Sequence, residues 1–361
     1  MTFDEILEIR PYELNKEKKK EVLNERLFEL SKLHQANCKE YAAILDAINY
    51  KPTPDFTNIP FLPVALFKEK DLKSVPDEEV IKTMTSSATT GQKVSRIFLD
   101  NENAYNQQKA MIKIVSDFTG SSRMPMIIID SPSVIKNRAM FSARGAGILG
   151  FSIFALKKIY ALDENMNLDL EGIQAFLEQY KNRKILIFGF TFMIWQHFYK
   201  ELLRLKREGV SLDLSNAIMI HGGGWKKLTS EAVSREEFHK SLEEICLIKD
   251  IHDYYGMVEQ TGCIYMECEY GHLHASIFSD VLVRNPLDFS LCKYGEKGLI
   301  QVVSTIASSY PGHSLLTEDE GIILGEDDCP CGRKGKYFKI CGRIKNAEIR
   351  GCSDTYAASF R

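Results

Sequence analysis

Hydroxyl and glycine residues crowd one short segment of the chain. In KTMTSSATTGQKVSRIFLD (residues 82–100), the run from Thr85 to Gly91 contains five serine or threonine side chains, and Lys93 follows it. Backbone N–H groups and hydroxyls in such a loop can bind a polyphosphate, and a neighbouring lysine adds positive charge. The spacing differs from the Walker pattern, so a site of that class is excluded. A polar hairpin turn is the alternative interpretation.

Cysteine and histidine form the second chemical signal. The turn CPC presents the sulfurs of Cys329 and Cys331, and the upstream segment ECEYGHLHAS supplies Cys268, His272 and His274. Two cysteines close together, with a distant cysteine and histidine, are typical of a closed Cys₃His zinc site. A closed site leaves no position for substrate, so a structural zinc is favoured over a catalytic one. Reduced structural cysteines without a metal are the alternative.

Four further segments follow the loop in a defined order. HGGGW (residues 221–225) ends a strand-like run, and its glycines would let a flat ligand approach the backbone. DYYGMVEQTG (253–262) combines aromatic side chains with a glutamate. HSLLTEDEG (313–321) and GRIK (342–345) add an acidic residue and an arginine. His221, at the start of the first segment, either faces a ligand or is a satisfied structural histidine.

Bulk composition excludes several classes of protein. The 361 residues carry a net charge of −3, which argues against electrostatic binding of nucleic acid. We find no apolar run of the ~18–20 residues that span a bilayer, and the start lacks the layout of a secretion signal. We therefore expect a cytoplasmic protein with reduced cysteines. Eight of the nine cysteines lie between Cys246 and Cys352, so thiol or metal chemistry is expected in the last third.

Alternating strand and helix patterns predict crossover units and a mainly parallel sheet. Residues 1–50 are expected to be an N-terminal helical segment, and 51–274 an α/β core. Strands and turns then dominate, which predicts an antiparallel β subdomain over 275–340. Residues 341–361 would form a short C-terminal tail.

The ordered set of segments resembles the adenylate-forming enzymes. Within them it is similar to the acyl-protein synthetase family of bacterial fatty-acid reductase complexes, the LuxE-like proteins, on SSATTGQ, HGGGW and the closing RGCSD. The resemblance covers roughly residues 20–361. It implies an α/β fold with a large domain of mainly parallel sheets and an antiparallel β subdomain, lacking most of the usual C-terminal domain. It also implies that a fatty acid is joined to AMP from ATP and passed to a thiol.

The resemblance implies one nucleotide site. The loop would cradle the ATP phosphates, the glycine and tyrosine segments would sandwich adenine, and Asp319 would bind the ribose hydroxyls. Glu259 would hold Mg²⁺, and Arg343 would steady ribose or phosphate near the hinge. The implied ATP- and AMP-binding residues are Thr85, Ser86, Ser87, Thr89, Thr90, Gly91, Lys93, Gly222, Gly223, Gly224, Tyr254, Tyr255, Gly256 and Asp319. Core packing is the alternative for one of the two tyrosines.

An acceptor thiol is implied near the end of the sequence. Cys352 would receive the acyl group as a thioester, because a thiolate attacks a mixed anhydride readily. With Glu259 and Arg343 it completes the implied catalytic set. Related CoA ligases have a C-terminal domain with a lysine that assists adenylation. The resemblance does not extend the role of that lysine to Lys345. The family usually continues with an acidic hinge residue, and Asn346 stands near that point. An unreactive tail cysteine is the alternative.

CPCGR with the upstream cysteine and histidine resembles the phenylacetate–CoA ligase branch, of which some members hold structural zinc. His272 and Cys263 are reserves for the ligand set. The implied zinc ligands are Cys268, His274, Cys329 and Cys331.

The expected function is therefore ligase chemistry with ATP and Mg²⁺, and with zinc as a structural ion. The expected partners are a fatty acid or another small carboxylic acid and an acyl reductase subunit. Ile187–Trp195 would border the acyl pocket or, alternatively, form helix core. A CoA ligase is the second interpretation. A non-catalytic nucleotide-binding zinc scaffold is the third, favoured by Ala88 where the family mostly has glycine.

Overall fold

The structure is a computed structural model that describes residues 1–86, 93–136, 143–225 and 230–344. The helices in chain order are α1 (Phe3–Leu7), α2 (Lys16–Asn37), α3 (Lys39–Ala47), α4 (Leu66–Glu69), α5 (Asn101–Thr119), α6 (Ser133–Lys136), α7 (Ala143–Phe151), α8 (Leu170–Gln179), α9 (Thr191–Met193), α10 (Lys200–Arg207) and α11 (Arg235–Cys246). A π-helical segment, Ile194–Tyr199, connects α9 to α10, and 3₁₀ turns occupy Phe56–Asn58, Asp77–Glu79, Ser152–Phe154 and Val258–Gln260.

The strands are β1 (Leu62–Pro63), β2 (Lys82–Thr85), β3 (Arg96–Leu99), β4 (Met124–Ile129), β5 (Ala155–Tyr160), β6 (Ile185–Phe190), β7 (Ala217–Gly222), β8 (Asp250–Tyr255), β9 (Tyr265–Glu267), β10 (Leu273–His274), β11 (Ser279–Arg284), β12 (Lys297–Ser304), β13 (Ser314–Glu326) and β14 (Lys336–Arg343). The described residues form two compact units. The first contains residues 1–86, 93–118 and 256–344, and the second contains 119–136, 143–225 and 230–255. The first unit combines segments that are distant in sequence, and the expected division into four consecutive segments stays a prediction.

The first unit is built on antiparallel strands. Their order is β11-β12-β13-β14-β10-β9, with β1 added in parallel beside β13. β2 and β3 pair separately as an antiparallel hairpin. This arrangement confirms the antiparallel subdomain that the strand-and-turn pattern predicted.

Helix α2 covers one face of this sheet. The side chain of Asn15 accepts a hydrogen bond from the Lys18 N–H and thereby caps the helix start. Apolar residues at helical spacing then face the sheet. These residues form a buried cluster with side chains of β11, β12 and the segment of the 3₁₀ turn Phe56–Asn58, which follows α3. The members of the cluster are Leu23, Leu27, Leu30, Phe56, Ile59, Leu282 and Val303.

The second unit has a parallel sheet in the order β8-β7-β6-β4-β5. Every residue of β4, β6 and β7 is buried, as expected for strands covered on both faces. The helices α8, α10 and α11 return the chain between strands, so the carboxyl ends of β4, β6, β7 and β8 lie at one edge. The predicted mainly parallel sheet is confirmed. None of the helices in the described ranges combines the length and apolar character that a bilayer crossing requires.

Two buried histidines connect α2 to the segment before β13. The carbonyl of Ala307 can only accept, so His34 Nε2–H donates to it at 3.0 Å, and His34 Nδ1 accepts from Ser74 Oγ at 2.7 Å. His313 Nε2 lies 3.0 Å from Ser31 Oγ. Burial lowers the pKa of His34 to about 3 and the pKa of His313 well below its usual value. Both side chains are therefore neutral in the folded protein.

This neutrality makes the folded state sensitive to acid. The unfolded chain binds a proton at each histidine near pH ~6.5, whereas the folded chain does not until far lower pH. The free energy of unfolding should therefore fall as pH drops from about 6.5 toward 4, by up to about 1.4 kcal/mol per pH unit for each histidine. In urea unfolding at pH 7.5, 6 and 5, His34→Gln should be less stable at pH 7.5 but should show a shallower loss. An unchanged slope would contradict the assignment of His34 as a neutral buried group.

Candidate functional site

The predicted phosphate loop begins and ends on the β2–β3 hairpin. Ser86 N–H donates to Ser95 O at 3.1 Å, and Ser95 N–H donates to Ser86 Oγ at 2.9 Å, so the hairpin closes beside the loop. Thr85 is exposed at the end of β2. Lys93 Nζ lies 2.6 Å from Glu69 Oε2 in an exposed ion pair. Such a pair is weak enough for Lys93 to exchange Glu69 for phosphate.

Five positions of the loop interpretation lie outside the described residues. They are Ser87, Ala88, Thr89, Thr90 and Gly91. Phosphate binding by the loop therefore stays a prediction.

Glu259 sits in a tightly held turn. It lies in the 3₁₀ turn Val258–Gln260 and is only 4% exposed. Tyr310 OH donates to the Glu259 carbonyl at 2.9 Å, and Gln260 Nε2 donates to Gly312 O at 2.8 Å. Gly256, just before the turn, is exposed. A buried carboxylate oxygen is a good ligand for a hard cation, so the position of Glu259 is compatible with the predicted magnesium role.

Asp319 and Arg343 face each other across β13 and β14, where they are register partners. Arg343 Nε donates to Asp319 Oδ1 at 3.0 Å, and Arg343 Nη2 donates to Glu318 Oε2 at 3.3 Å. The structure thus brings together the predicted ribose ligand and the predicted hinge arginine. Any ribose hydroxyl bound by Asp319 would share that carboxylate with Arg343.

The glycine segment after β7 lies beside Tyr254. Gly222 and Tyr254 are register partners in the parallel sheet, and a Cβ at Gly222 would lie 2.7 Å from the tyrosine ring. Gly223 has φ +83°, and a Cβ there would lie 2.7 Å from the Phe190 ring. Gly224 has φ +60°. The segment therefore requires glycine for conformation and for close ring packing.

Tyr254 also belongs to an aromatic cluster. Its ring lies 5.2 Å from the ring of Phe151 and 6.5 Å from that of Phe188. This packing fits the structural alternative for one of the two tyrosines, while Tyr255 follows it at the strand end. The adenine role of the pair stays a prediction.

His221 is held in one tautomer at the end of β7. Thr191 Oγ1 donates its proton to Gly222 O at 3.2 Å, so His221 Nδ1–H donates to Thr191 Oγ1 at 2.9 Å. Burial lowers the pKa of His221 to about 3. This favours the structural reading, in which a neutral histidine braces the strand end below the glycines.

A buried ion pair that the sequence analysis did not identify lies after β4. Arg144 Nε is 2.9 Å from Asp130 Oδ2, and both side chains are at least nine-tenths buried. Burial raises the pKa of Asp130 to about 6, and the charge of Arg144 opposes that shift. The sequence signal that could have identified Asp130 is its position directly after the apolar run MPMIII. Ligand sites lie at the carboxyl ends of parallel strands, where such a residue would be placed.

The predicted acyl-pocket border is mostly core in the described residues. Ile187, Ile194 and Trp195 belong to the buried cluster on which α10 and α11 pack. Phe188 and Phe190 point to the other side, where Gly147 of α7 approaches the Phe190 ring. Phe188 and Phe190 are also buried, at 0% and 2% exposed, so the packing favours the core alternative and the border of an acyl pocket stays a prediction.

The four predicted zinc ligands converge in the first unit. The ligand atoms of Cys268, His274, Cys329 and Cys331 all lie within 4.8 Å of one another. Cys268 Sγ is 3.9 Å from Cys329 Sγ, and Cys331 Sγ is 3.4 Å from His274 Nε2. Tetrahedral zinc with Zn–S bonds of about 2.3 Å requires ligand separations of about 3.5–3.8 Å. The residues therefore fit a Cys₃His zinc site.

The two reserve ligands differ from this set. His272 Nδ1 lies 3.2 Å from Cys329 Sγ and stacks on Tyr337 at the edge of the cluster. Cys263 lies elsewhere, with its Sγ 3.2 Å from Ser304 Oγ. Cys352, the predicted acyl acceptor, lies outside the described residues.

Comparison with known proteins finds one family over nearly the whole chain. The family model described as acyl-protein synthetase, LuxE, matches residues 2–361. Two curated relatives are both named long-chain-fatty-acid–luciferin-component ligase. The Vibrio harveyi protein is 24% identical over 337 residues, covering 91% of this chain and 85% of the relative. The Aliivibrio fischeri protein is 24% identical over 366 residues, covering 97% and 92%.

Solved structures show the same fold. An open conformation of 2-hydroxyisobutyryl-CoA ligase with 2-HIB-AMP and CoA has a TM-score of 0.67 at 14% identity, covering 93% of this chain and 77% of the ligase. The postadenylation state of that ligase has a TM-score of 0.67 at 15% identity, covering 93% and 70%. The chain therefore has an adenylate-forming ligase fold.

The packing at Gly222 predicts a specific mutational effect. In Gly222→Ala, the new Cβ would displace the Tyr254 ring and, with it, the glycine segment. We expect a stability loss of roughly 1–3 kcal/mol and a several-fold weaker affinity for ATP by calorimetric titration. Gly172→Ala is the matched control, because its Cβ would clash with the Asp169 side chain at the start of α8. Equal ATP affinity of both variants would contradict the adenine assignment.

Proposed function

The chain belongs to the acyl-protein synthetase family LuxE, and we propose that it activates a fatty acid with ATP and transfers the acyl group to its own Cys352. The observation that carries the proposal is the family match over residues 2–361, together with an adenylate-forming fold. As a ligase of this family, the protein would act in the cytoplasm, where ATP is available and its cysteines stay reduced.

The first step forms a mixed anhydride. A carboxylate oxygen of the fatty acid attacks the α-phosphorus of ATP, the bond to the β-phosphate oxygen breaks, and pyrophosphate leaves. The serine- and threonine-rich loop from Thr85 to Gly91 would bind the phosphates, and Asp319 would bind the ribose. Glu259 would contribute a carboxylate oxygen to Mg²⁺, which supplies charge neutralisation for the leaving pyrophosphate. Arg343 lies beside Asp319 and would orient its carboxylate.

The second step moves the acyl group to sulfur. The Cys352 thiolate attacks the acyl carbonyl, a C–S bond forms, the C–O bond to phosphate breaks, and AMP leaves. The thiol proton is lost to solvent before attack. The product is an acyl thioester on the protein, which a partner acyl reductase would then accept. The names of the curated relatives support a long-chain fatty acid as the substrate.

A CoA ligase is the second candidate, because the similar solved structures are CoA ligases. Free CoA thiol would then replace Cys352 in the second step. A nucleotide-binding scaffold without catalysis is the third interpretation from the sequence. The same experiment separates all three.

Cys352→Ser should separate activation from transfer. We expect the variant to keep fatty-acid-dependent exchange of labelled pyrophosphate into ATP, since adenylation needs no thiol. It should lose covalent labelling by radioactive fatty acid, because serine is a far weaker nucleophile. Cys341→Ser is the matched control, since Cys341 is an exposed cysteine of β14 in the same part of the chain. That control should keep both activities.

Other outcomes point to the alternatives. Labelling that survives in Cys352→Ser would move the acceptor to another residue. Normal turnover to acyl-CoA without protein labelling would establish the CoA ligase. Absence of exchange in the wild-type protein, across fatty acids of different chain length, would leave the scaffold interpretation.

We also propose a structural zinc ion at Cys268, His274, Cys329 and Cys331. The cluster joins the β9–β10 hairpin to the turn before β14, and Lys334 N–H in that turn donates to Tyr12 O at 3.0 Å. The ion would therefore hold the N-terminal segment in place as well. It supplies four bonds to protein and no open position for substrate.

Metal analysis should find about one zinc ion per chain in purified protein. Cys329→Ser should reduce this content to near zero and lower the melting temperature. Cys263→Ser is the matched control, because it removes a buried cysteine of the same unit that contacts Ser304 instead of the cluster. His274→Ala should lose zinc, whereas His272→Ala should retain it. Full zinc content in Cys329→Ser would exclude the assigned ligand set.

A further inference from the structure

The backbone of the Glu259 turn is held by one short segment before β13. Tyr310 is 1% exposed, and its hydroxyl donates to the Glu259 carbonyl oxygen at 2.9 Å. Burial raises the pKa of Tyr310, so the hydroxyl keeps its proton and remains a donor. Removal of this hydroxyl would take away the hydrogen bond that Tyr310 donates to the backbone carbonyl of Glu259.

The backbone at Gly312 passes close to both the Tyr310 ring and the Glu259 carbonyl. A Cβ at Gly312 would lie 2.2 Å from the Tyr310 ring and 2.9 Å from the Glu259 carbonyl oxygen. Only glycine lets the backbone pass this near to both groups. Gln260 completes the connection, because its Nε2 donates to Gly312 O at 2.8 Å and to Val302 O at 3.2 Å.

Helix α5 packs closely against the backbone that follows the Glu259 turn. Gly262, with φ +91°, has no side chain, and a Cβ there would lie 2.6 Å from the Cα of Gln107 in α5. The backbone after Glu259 is therefore pressed against a helix, while the backbone of Glu259 is bonded to Tyr310. A turn fixed at both places holds the Cα–Cβ bond of Glu259 in one direction.

The segment that carries Tyr310 is itself anchored. Asn103 Oδ1 accepts from Ser308 N–H at 2.8 Å, and Ser309 O accepts from Ser74 N–H at 2.8 Å. Ser309 Oγ donates to Phe98 O on β3 at 2.8 Å. Tyr310 is thus held on a rigid support, and the support includes the hairpin that carries the predicted phosphate loop.

We propose that Tyr310 is a positioning residue whose hydroxyl, bonded to the Glu259 carbonyl across Gly312, fixes the Glu259 carboxylate for the divalent cation that accompanies ATP. This inference rests on the proposed function of Glu259. In this proposal Tyr310 acts through the Glu259 backbone and makes no contact of its own with nucleotide or cation. Its effect should therefore appear in cation affinity rather than in the chemical step.

Tyr310→Phe removes only the hydroxyl and keeps the ring. With Mn²⁺ as the probe and a non-hydrolysable ATP analogue present, electron paramagnetic resonance should show about fivefold weaker Mn²⁺ binding, the equivalent of one hydrogen bond. The Mg²⁺ concentration for half-maximal pyrophosphate exchange should rise by a similar factor, with little change at saturating Mg²⁺. Gly312→Ala should weaken Mn²⁺ binding as well, since its Cβ would displace the same carbonyl.

Tyr265→Phe is the matched control. Tyr265 is 2% exposed in the same unit, and its hydroxyl donates to the backbone carbonyl of Asp280 at 3.2 Å. It should lower the melting temperature about as much as Tyr310→Phe and leave Mn²⁺ binding unchanged. Equal Mn²⁺ affinity in Tyr310→Phe and Tyr265→Phe would overturn the inference.

Glu259→Gln distinguishes the inference from its premise. This variant should lose Mn²⁺ binding to the nucleotide complex, and saturating Mg²⁺ should not restore exchange. If Glu259→Gln binds Mn²⁺ as the wild type does, the proposed role of Glu259 fails and the inference fails with it. If Glu259→Gln loses the ion while Tyr310→Phe does not, the role of Glu259 stands and only the role of Tyr310 is rejected.

Discussion

The burial of the Glu259 carboxylate is the constraint to which the first unit is adapted. Removing a carboxylate from water costs several kcal/mol unless charge or hydrogen bonds compensate it. Two hydrogen bonds fix the backbone near this carboxylate: Tyr310 OH donates to the Glu259 carbonyl, and Gln260 Nε2 donates to the Gly312 carbonyl. Glycines at 262 and 312 allow this close packing. If Glu259 binds the cation as we propose, a buried carboxylate on a fixed backbone lowers the ordering cost of binding.

The cysteine and histidine cluster brings together distant segments of the same unit. Its ligands come from the β9–β10 hairpin and from the turn that precedes β14, which lie about sixty residues apart in sequence. Around it, Arg333 lies over the Phe118 ring at 3.8 Å and pairs with Asp117, so α5 is attached to the same turn. A metal ion at this place would link these segments through its ligands.

The second unit combines close backbone packing with buried polar pairs at the edge where its parallel strands end. Parallel strands end together, and the glycines after β7 let aromatic rings approach the backbone closely. The neutral His221 and Thr191 support that strand end from below, through a hydrogen bond to the Gly222 carbonyl. The Asp130–Arg144 pair stands at the end of β4, at the same edge of the sheet. Polar groups buried at strand ends are costly unless paired, and each of these has a partner.

The sequence by itself predicted the parallel and antiparallel parts of the fold and a set of cysteine and histidine side chains that the structure brings together. Alternating strand and helix patterns predicted the parallel part, because crossover helices connect parallel strands, and the later run of strands and turns predicted the antiparallel part. The preference of zinc for sulfur and imidazole pointed to the cysteine and histidine segments, and the resemblance to the phenylacetate–CoA ligase branch selected Cys268, His274, Cys329 and Cys331. The tertiary structure alone decided that Tyr310 bonds Glu259 and that Arg144 pairs with Asp130. Those contacts join residues 51 and 14 positions apart and carry no local periodicity, so only the folded backbone brings their atoms together.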